Sequence, residues 1–171
     1  KLDPREYEIH TIAAPEQYEL RHPYLWRFWS KILPEEKISI FDRSWYGRVL
    51  VERVEGFASD VQWQRAYEEI SRFEKDLHDS QTVVIKFWLA ISKDEQEARF
   101  KAREGTPHKQ FKITEEDWRN RERWDDYLHA AADMLERTDS RHAPWHVIAA
   151  NDKNSARLEV LRAILRQLKA E

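Results

Sequence analysis

The chain has 171 residues, of which 41% are hydrophobic and none is cysteine. This length is sufficient for one domain with a sizeable core, and the lack of cysteine excludes disulfides, thiolate metal sites and a cysteine nucleophile. The formal net charge of -3, from 29 basic and 32 acidic residues, argues against a general surface for nucleic acid polymers or anionic membranes. No apolar run approaches the ~20 residues of a membrane span, so a soluble, cytoplasmic protein is expected.

Strands and helices are predicted to alternate from the beginning of the chain. The stretch from Tyr7 to Ala13 has the apolar alternation of a strand, and Lys37 to Phe41 is predicted as the next strand. Between them, apolar residues recur at helical spacing and predict a helix with a core-facing stripe: Tyr24, Leu25, Phe28, Trp29, Ile32 and Leu33. Ser59 followed by Gln62 indicates the capping box of a further helix, which carries Trp63, Tyr67, Ile70, Phe73 and Leu77.

The second half of the chain continues this alternation. The segment TVVIKFWLAI, from Thr82 to Ile91, is apolar and β-branched enough to be a buried central strand, and His146 to Ala150 is predicted as the last strand. Ser92, with Glu95 three residues later, indicates the start of another helix. The final helix is predicted from about Ser155 to Leu168, with a buried face of Ala156, Val160, Leu161, Ile164, Leu165 and Leu168. The pattern predicts one α/β domain with a parallel sheet, residues 1–171.

The stretch FDRSWYGRVLVERVEGF follows the second predicted strand with an acid and a series of arginines. Open α/β sheets bind their ligands at the carboxyl ends of their strands. Asp42 at that position suits Mg²⁺, bound directly or through water. Arg43, Arg48 and Arg53 suit an extended polyanion, because a guanidinium matches phosphate oxygens in pairs. The structural alternatives are that Asp42 caps the next helix and that the arginines pair with surface acids such as Glu52.

A basic segment, RFKAREGTPHKQFK, lies at residues 99–112 and contains five basic residues and one acid. A Gly-Thr-Pro turn interrupts it, and Thr114 then indicates the cap of a further helix. This composition is typical of a mobile arm that closes over phosphates, although a solvated helix face is the alternative. The candidate phosphate-binding residues of this arm and the next helix are Arg103, Lys109, Lys112, Arg119 and Arg121.

Three segments closely resemble the polyphosphate kinase 2 family, P-loop phosphotransferases that move phosphate between inorganic polyphosphate and nucleotides. They are FDRSWYGRVLVERVEGF, KAREGTPHKQFKITEEDWRNR and RTDSRHAPWHVIAANDK. The first is similar to the family's Walker B segment, most like that of the polyphosphate:AMP phosphotransferase branch. The resemblance implies that a phosphate is transferred from polyphosphate to a nucleotide. The expected acceptor is AMP, which is converted to ADP. It also implies Mg²⁺ at Asp42, phosphate binding by Arg43 and Arg48, and a basic lid at about residues 99–123.

The family's P-loop is not found in this sequence, because Gly47, Gly56 and Gly105 are scattered and supply no phosphate-binding loop. The resemblance therefore implies a three-layer P-loop kinase sheet without its first strand, in a fragment that begins just after the P-loop helix. Glu52 and Arg53 are retained as candidate phosphate- or nucleotide-binding residues. The expected partners are inorganic polyphosphate, a nucleoside mono- or diphosphate, and further copies of the chain in a homo-oligomer.

Two other functions stay open. One is a different P-loop nucleotide kinase that uses ATP, such as a nucleoside monophosphate or thymidylate kinase. The other is a non-catalytic module of a larger polyphosphate-binding protein. Some relatives carry two fused copies of the domain, and a copy without its P-loop would serve in assembly or anion binding.

Overall fold

The computed structural model of the chain describes residues 3–34 and 37–170, except for the side chains of Lys109, Lys112 and Ala170. The strands within these residues are β1 (Tyr7–Thr11), β2 (Ile38–Asp42), β3 (Lys86–Ala90) and β4 (Trp145–Ala149). The α-helices are α1 (Trp26–Trp29), α2 (Val51–Val54), α3 (Asp60–Asp79), α4 (Lys93–Glu104), α5 (Glu115–Glu122), α6 (Trp124–Thr138) and α7 (Lys153–Ala170). Short 3-10 helices lie at Glu19–Arg21, Trp45–Val49 and Pro107–Lys112. None of the described helices is both long and apolar enough to cross a membrane.

The four strands form two parallel pairs. β1 pairs with β2, so that Tyr7 lies opposite Ile38, and β3 pairs with β4, so that Lys86 lies opposite Trp145. The predicted parallel arrangement is therefore confirmed for both pairs. Among the residues described, no ladder of hydrogen bonds joins one pair to the other.

One hydrophobic core connects both strand pairs through α3. The predicted capping box is present at the start of this helix, where the Ser59 backbone N–H donates to the Gln62 side chain at 2.9 Å. The buried face of α3 consists of Ala66, Tyr67, Ile70, Phe73 and Leu77. Phe41 of β2 and Trp88 of β3 pack against this cluster from the two pairs. The long helix thus fixes both pairs in one core although no strand ladder joins them within the described residues.

A second, smaller core lies on the opposite face of β3 and β4. Side chains alternate along a strand, so Trp88 and Trp145 face the α3 core while Phe87 and Ile148 face α7, where Val160 packs against them. Helices therefore cover both faces of this pair. The predicted three-layer α/β arrangement is confirmed.

The helix α7 buries a different face from the predicted one. Ala156 and Ala163 are buried, and Val160 packs on the second core. Three leucines that were predicted to be buried are each 55–57% exposed: Leu161, Leu165 and Leu168. The prediction is wrong for these leucines because helical periodicity identifies an apolar stripe but not which part of it meets a neighbour. Here the small alanines approach the strands instead.

The helix predicted before Pro34 is only one turn long. α1 covers Trp26–Trp29, and a single turn places too few side chains on one face to form the predicted stripe. Phe28 is 4% exposed and belongs to the core, but Trp26 and Trp29 are 37% and 44% exposed. Trp26 stacks on His22 instead, with the ring centroids 4.0 Å apart.

Part of the strand surface is uncovered in this chain. Ile9, Ile38 and Ile40 are 58%, 37% and 39% exposed on one face of the first pair. β3 is shorter than the predicted strand from Thr82 to Ile91, and Leu89 in it is 56% exposed. The prediction that this strand is fully buried is therefore wrong for Leu89.

Ile70 provides a test of the shared core, because its side chain is fully buried. Replacing it in Ile70→Ala should lower the free energy of unfolding by about 2–5 kcal/mol, since the substitution leaves a cavity beneath both strand pairs. Val61 lies on the same helix and is 71% exposed, so Val61→Ala should change that free energy by less than about 0.5 kcal/mol. Urea denaturation followed by tryptophan fluorescence compares the two variants. Equal losses would contradict the core position of Ile70.

Candidate functional site

The turn after β2 combines a carboxylate and a guanidinium that have no partner among the described residues. The Asp42 carbonyl accepts a hydrogen bond from the backbone N–H of Ile12 at 3.0 Å, which ties the end of β2 to the end of β1. The side chains of Asp42 and Arg43 are exposed. Within the described part of the chain, neither side chain makes a hydrogen bond or an ion pair. Their charges are therefore available to a ligand.

The backbone at Arg43 is strained. Its φ angle is +63°, in the left-handed region that costs a non-glycine residue roughly 1–2 kcal/mol. Such outliers persist only where the surrounding structure holds them, and they cluster at functional sites. The strain therefore marks this turn independently of its charges.

Trp45 and Tyr46, which follow the turn, are buried at 7% and 4% exposure. The Trp45 indole N–H donates to Glu74 Oε1 at 3.0 Å, and the Tyr46 hydroxyl donates to the same atom at 2.7 Å. The Lys86 ammonium donates to Glu74 Oε2 at 2.8 Å. Burial, followed by the Glu74 charge, raises the pKa of the Tyr46 hydroxyl. Burial lowers the pKa of Lys86, while Glu74 acts in the opposite direction.

Sequence reasoning missed this buried pair of charges, although the sequence contains a signal for it. Glu74 occupies a position on the apolar face of α3 between Ile70 and Leu77, and Lys86 interrupts the apolar run TVVIKFWLA. Each residue alone is an unpaired charge in a core position. Two such positions of opposite sign predict that the residues pair with each other.

Arg48 and Glu52 lie one helical turn apart and form an ion pair. Arg48 Nε is 2.9 Å from Glu52 Oε2, which is the pairing with a surface acid given above as the structural alternative. The guanidinium also lies over the ring of Tyr24, 4.5 Å from its centroid. The Arg48 side chain is 17% exposed, so it is only partly accessible from solvent.

Arg53 connects α2 to two other helices. One of its terminal nitrogens donates to the Tyr67 hydroxyl at 2.9 Å and to Asp133 Oδ2 at 2.7 Å. Its guanidinium lies over the Trp63 ring, 4.2 Å from the centroid. These contacts give Arg53 a role in packing α2 against α3 and α6.

The predicted lid consists of the end of α4, a 3-10 helix and α5. Arg119 donates from Nε to Glu55 Oε2 at 3.1 Å, which joins α5 to the residue after α2. Arg121 donates to the Lys93 carbonyl and to Glu97 Oε2, both at 2.5 Å, which joins α5 to α4. Arg103 has no ion pair among the residues described. Lys109 and Lys112, whose side chains were also predicted to bind phosphate, lie outside the described side chains.

Glu55 is a further residue that sequence reasoning did not identify. Its side chain is 6% exposed, and besides Arg119 it contacts Arg123 at 3.8 Å. The Tyr127 hydroxyl donates to its other oxygen at 3.3 Å. One carboxylate therefore receives two cations and a hydroxyl, and it anchors the junction of α5 and α6 beside α2.

Asp42 is the residue available to a metal ion at the turn. Among the described residues, no group of three or more histidine, cysteine, aspartate or glutamate side chains is arranged to hold a metal. A protein cage for a metal is therefore not seen in this part of the chain. Mg²⁺ is commonly held by one or two carboxylates together with substrate phosphates and water, and Asp42 is compatible with that mode.

The left-handed turn can be tested by two variants that both remove the guanidinium. Arg43→Ala should be less stable to unfolding than Arg43→Gly by about 1 kcal/mol, because glycine has no Cβ to clash at positive φ. Thermal or urea denaturation of both variants measures the difference. Equal stabilities would show that residue 43 is not held in the left-handed conformation.

The contact between α4 and α5 should depend on pH through Glu97. Lys101, and then Arg121, lower the pKa of Glu97 below its ordinary value of 4.5. Since the folded-state pKa is the lower one, the stabilisation is fully present above the ordinary value and is lost as the pH falls through the lowered value.

The variant Glu97→Gln should therefore be less stable than the unsubstituted chain at neutral pH, and this difference should vanish in acid. Urea denaturation from neutral pH down to about pH 3 measures it. A difference that stays constant over that range would contradict an ionised Glu97 in these contacts.

The whole chain, residues 1–171, matches the family model described as polyphosphate kinase 2. It is 77% identical over 171 residues to a polyphosphate:AMP phosphotransferase of Acinetobacter johnsonii, a match that covers all of this chain and 36% of that protein. It is 57% identical over 163 residues to a polyphosphate:AMP phosphotransferase of Pseudomonas aeruginosa, covering 95% of this chain and 33% of that protein. The chain thus spans about a third of the length of these relatives.

Solved structures give the same result. The fold is similar to that of a crystal structure from Pseudomonas aeruginosa PA01 described as a polyphosphate kinase 2, with a TM-score of 0.96 and 56% identity over 99% of this chain and 36% of that one. It is also similar to polyphosphate kinase 2 from Arthrobacter aurescens TC1, with a TM-score of 0.94 and 38% identity over 98% of this chain and 59% of that one. With sequence and fold matched over essentially its full length, the chain belongs to the polyphosphate kinase 2 family.

Proposed function

We propose that residues 1–171 form the phosphate-binding part of an enzyme that transfers a phosphoryl group from inorganic polyphosphate to AMP. The observation that carries this proposal is the turn at Asp42 and Arg43, where a strained backbone presents a carboxylate beside a guanidinium, neither of them paired within the part of the chain that the structure describes. The relatives at 77% and 57% identity are both named for AMP, whereas one at 39% identity is named an ADP-polyphosphate phosphotransferase. The names of the more similar relatives therefore favour AMP as the acceptor.

In the proposed reaction, an oxygen of the AMP phosphate attacks the terminal phosphorus of polyphosphate. A new P–O–P bond forms as the old anhydride bond breaks, so the products are ADP and a polyphosphate shortened by one unit. Catalysis of such a transfer depends on positioning and on neutralising the charge of the equatorial oxygens. Arg43 is proposed to bind those oxygens, and the partly exposed Arg48 is proposed to bind a neighbouring phosphate. Neither role requires a covalent intermediate with the protein.

Mg²⁺ is the proposed metal, and Asp42 is its proposed protein ligand. The donor set fits, because an exposed carboxylate at the end of a strand leaves the remaining coordination positions to phosphate oxygens and water. When bound, the ion would neutralise phosphate charge during transfer. The chain's own part is to hold Asp42 in place, through the end of β2 and its backbone bond to Ile12.

The lid cations are proposed to divide into two groups. Arg119 and Arg121 already bind Glu55 and Glu97, so their first effect is to hold α5 beside α2 and α4. Arg103, with Lys109 and Lys112, is proposed to approach the phosphates from the lid. Glu52 is proposed to keep the Arg48 guanidinium in place, and Arg53 to hold α2 on which Glu52 lies.

The P-loop required by this chemistry is proposed to lie outside residues 1–171. We therefore expect this chain to form little or no ADP from AMP, Mg²⁺ and long-chain polyphosphate. A longer version that carries a P-loop segment upstream should form ADP, and phosphorus NMR of the two mixtures detects it. Equal turnover by this chain alone would show that the missing loop is not needed. If neither this chain nor the longer version forms ADP, the assignment of AMP as the acceptor is wrong. The next nucleotides to test are ADP, GDP and ATP.

In the longer version, Asp42→Asn should reduce turnover by about 10²-fold or more, because it removes the charge that holds the metal. Asp125 is also exposed but lies at the start of α6, so Asp125→Asn serves as the matched control and should retain turnover. Raising the Mg²⁺ concentration should partly restore Asp42→Asn. Full activity of Asp42→Asn would remove Asp42 from the proposed site.

A further inference from the structure

The ammonium of Lys86 has all of its protons engaged within the core. It donates to Glu74 Oε2 at 2.8 Å, to the Tyr46 hydroxyl at 2.9 Å and to the Thr138 carbonyl at 2.8 Å. Glu74 in turn accepts from Trp45 and Tyr46. Glu74 and Lys86 are 1% and 5% exposed. The network is therefore complete and shielded from water.

This network restrains one side of the strained turn. On the other side, Asp42 is held by the β1–β2 ladder and by the hydrogen bond from Ile12. Only Arg43 and Ser44 lie between that ladder and the buried pair Trp45 and Tyr46. The chain is therefore held immediately before and immediately after these two residues, which restricts the backbone conformations they can adopt. This restriction accounts for the retention of a positive φ at Arg43.

Stability alone does not explain a charge pair in this position. A buried ion pair has a desolvation cost that often exceeds its attraction, and apolar residues of similar size are frequently as stable. An apolar core would, however, provide no acceptor for the Trp45 indole or the Tyr46 hydroxyl. The carboxylate of Glu74 supplies one atom that accepts from both donors, and the Lys86 ammonium holds the other oxygen of that carboxylate at 2.8 Å.

We propose that Glu74 and Lys86 are positioning residues for the phosphate site: by fixing Trp45 and Tyr46, they hold the turn that presents Arg43 to the ligand. This inference rests on the proposed function. It differs from a purely structural role in one respect, because it requires that the pair act through the guanidinium of Arg43. Its effects on binding must therefore depend on whether that guanidinium is present.

The test replaces the pair by apolar residues in Glu74→Leu with Lys86→Met. In the longer version that carries a P-loop segment, this double variant should bind polyphosphate about tenfold more weakly, measured by titration calorimetry. In an Arg43→Ala background, the same double substitution should cause almost no further loss. Lys75 and Asp79 form an exposed pair on the same helix, 60% and 55% exposed, so Lys75→Met with Asp79→Asn is the matched control and should leave the affinity unchanged.

A second measurement does not depend on binding. The amide N–H groups of Gly47 and Leu50 donate to the Ser44 and Tyr46 carbonyls, and their hydrogen exchange reports on the segment after the turn. In this chain, the hydrogen-exchange rate of these amides should rise about tenfold in the apolar double variant and should not change in the control variant. Should the double variant fail to fold, Tyr46→Phe removes both hydroxyl contacts, leaves the ion pair in place and is expected to shift exchange in the same direction.

Equal loss of affinity in the presence and absence of the Arg43 guanidinium would overturn the inference, as would unchanged exchange at Gly47 and Leu50. If the unsubstituted longer version does not bind polyphosphate, the proposed function is wrong and the positioning role falls with it. If the unsubstituted longer version binds polyphosphate, but the double substitution and Arg43→Ala lower the affinity additively, the positioning role alone is overturned. The two failures are therefore distinguishable.

Discussion

The arrangement of this chain depends on the buried ion pair between Glu74 and Lys86. It lies where α3, β3, the end of α6 and the turn after β2 meet. A buried charge without its partner is costly, so all four elements have to be in place together for the pair to be satisfied. Packing alone would allow these elements to slide by small amounts, because apolar contacts have little directionality. The polar contacts remove that freedom beside the turn proposed to bind phosphate.

The arginines of this protein divide between those that join helices and those proposed to bind phosphate, although the sequence presents them as one series. Arg53 and Arg119 join helices to each other through carboxylates. Arg43 has no such partner within the described residues and has the strained backbone. Arg48 is intermediate, since it has a carboxylate neighbour and a partly exposed side chain. At the proposed phosphate site, the unpaired Arg43 therefore lies near arginines whose positions are already set by their partners among the described residues.

Local features of the fold could be predicted from the sequence, and long-range ones could not. The cap at Ser59 was predicted correctly because both of its partners lie within one turn. The place of Asp42 at the end of a strand followed from apolar alternation in the same way. The partner of Arg53 is Asp133, 80 positions away, and no local pattern indicates such a contact. The positive φ of Arg43 was also missed, because tertiary contacts impose it on a residue type that rarely adopts it.

The exposed leucines of α7 affect how the folded state can be recognised in solution. Four leucines at helical spacing are each more than half exposed: Leu158, Leu161, Leu165 and Leu168. The native chain therefore has a continuous apolar stripe on its surface. Fluorescent dyes that report exposed apolar surface are widely used to detect partly folded states. For this chain such a dye has a binding surface in the native fold itself. Dye fluorescence is therefore not a measure of its unfolding, and near-ultraviolet circular dichroism from the buried Trp45 and its aromatic neighbours is the appropriate signal.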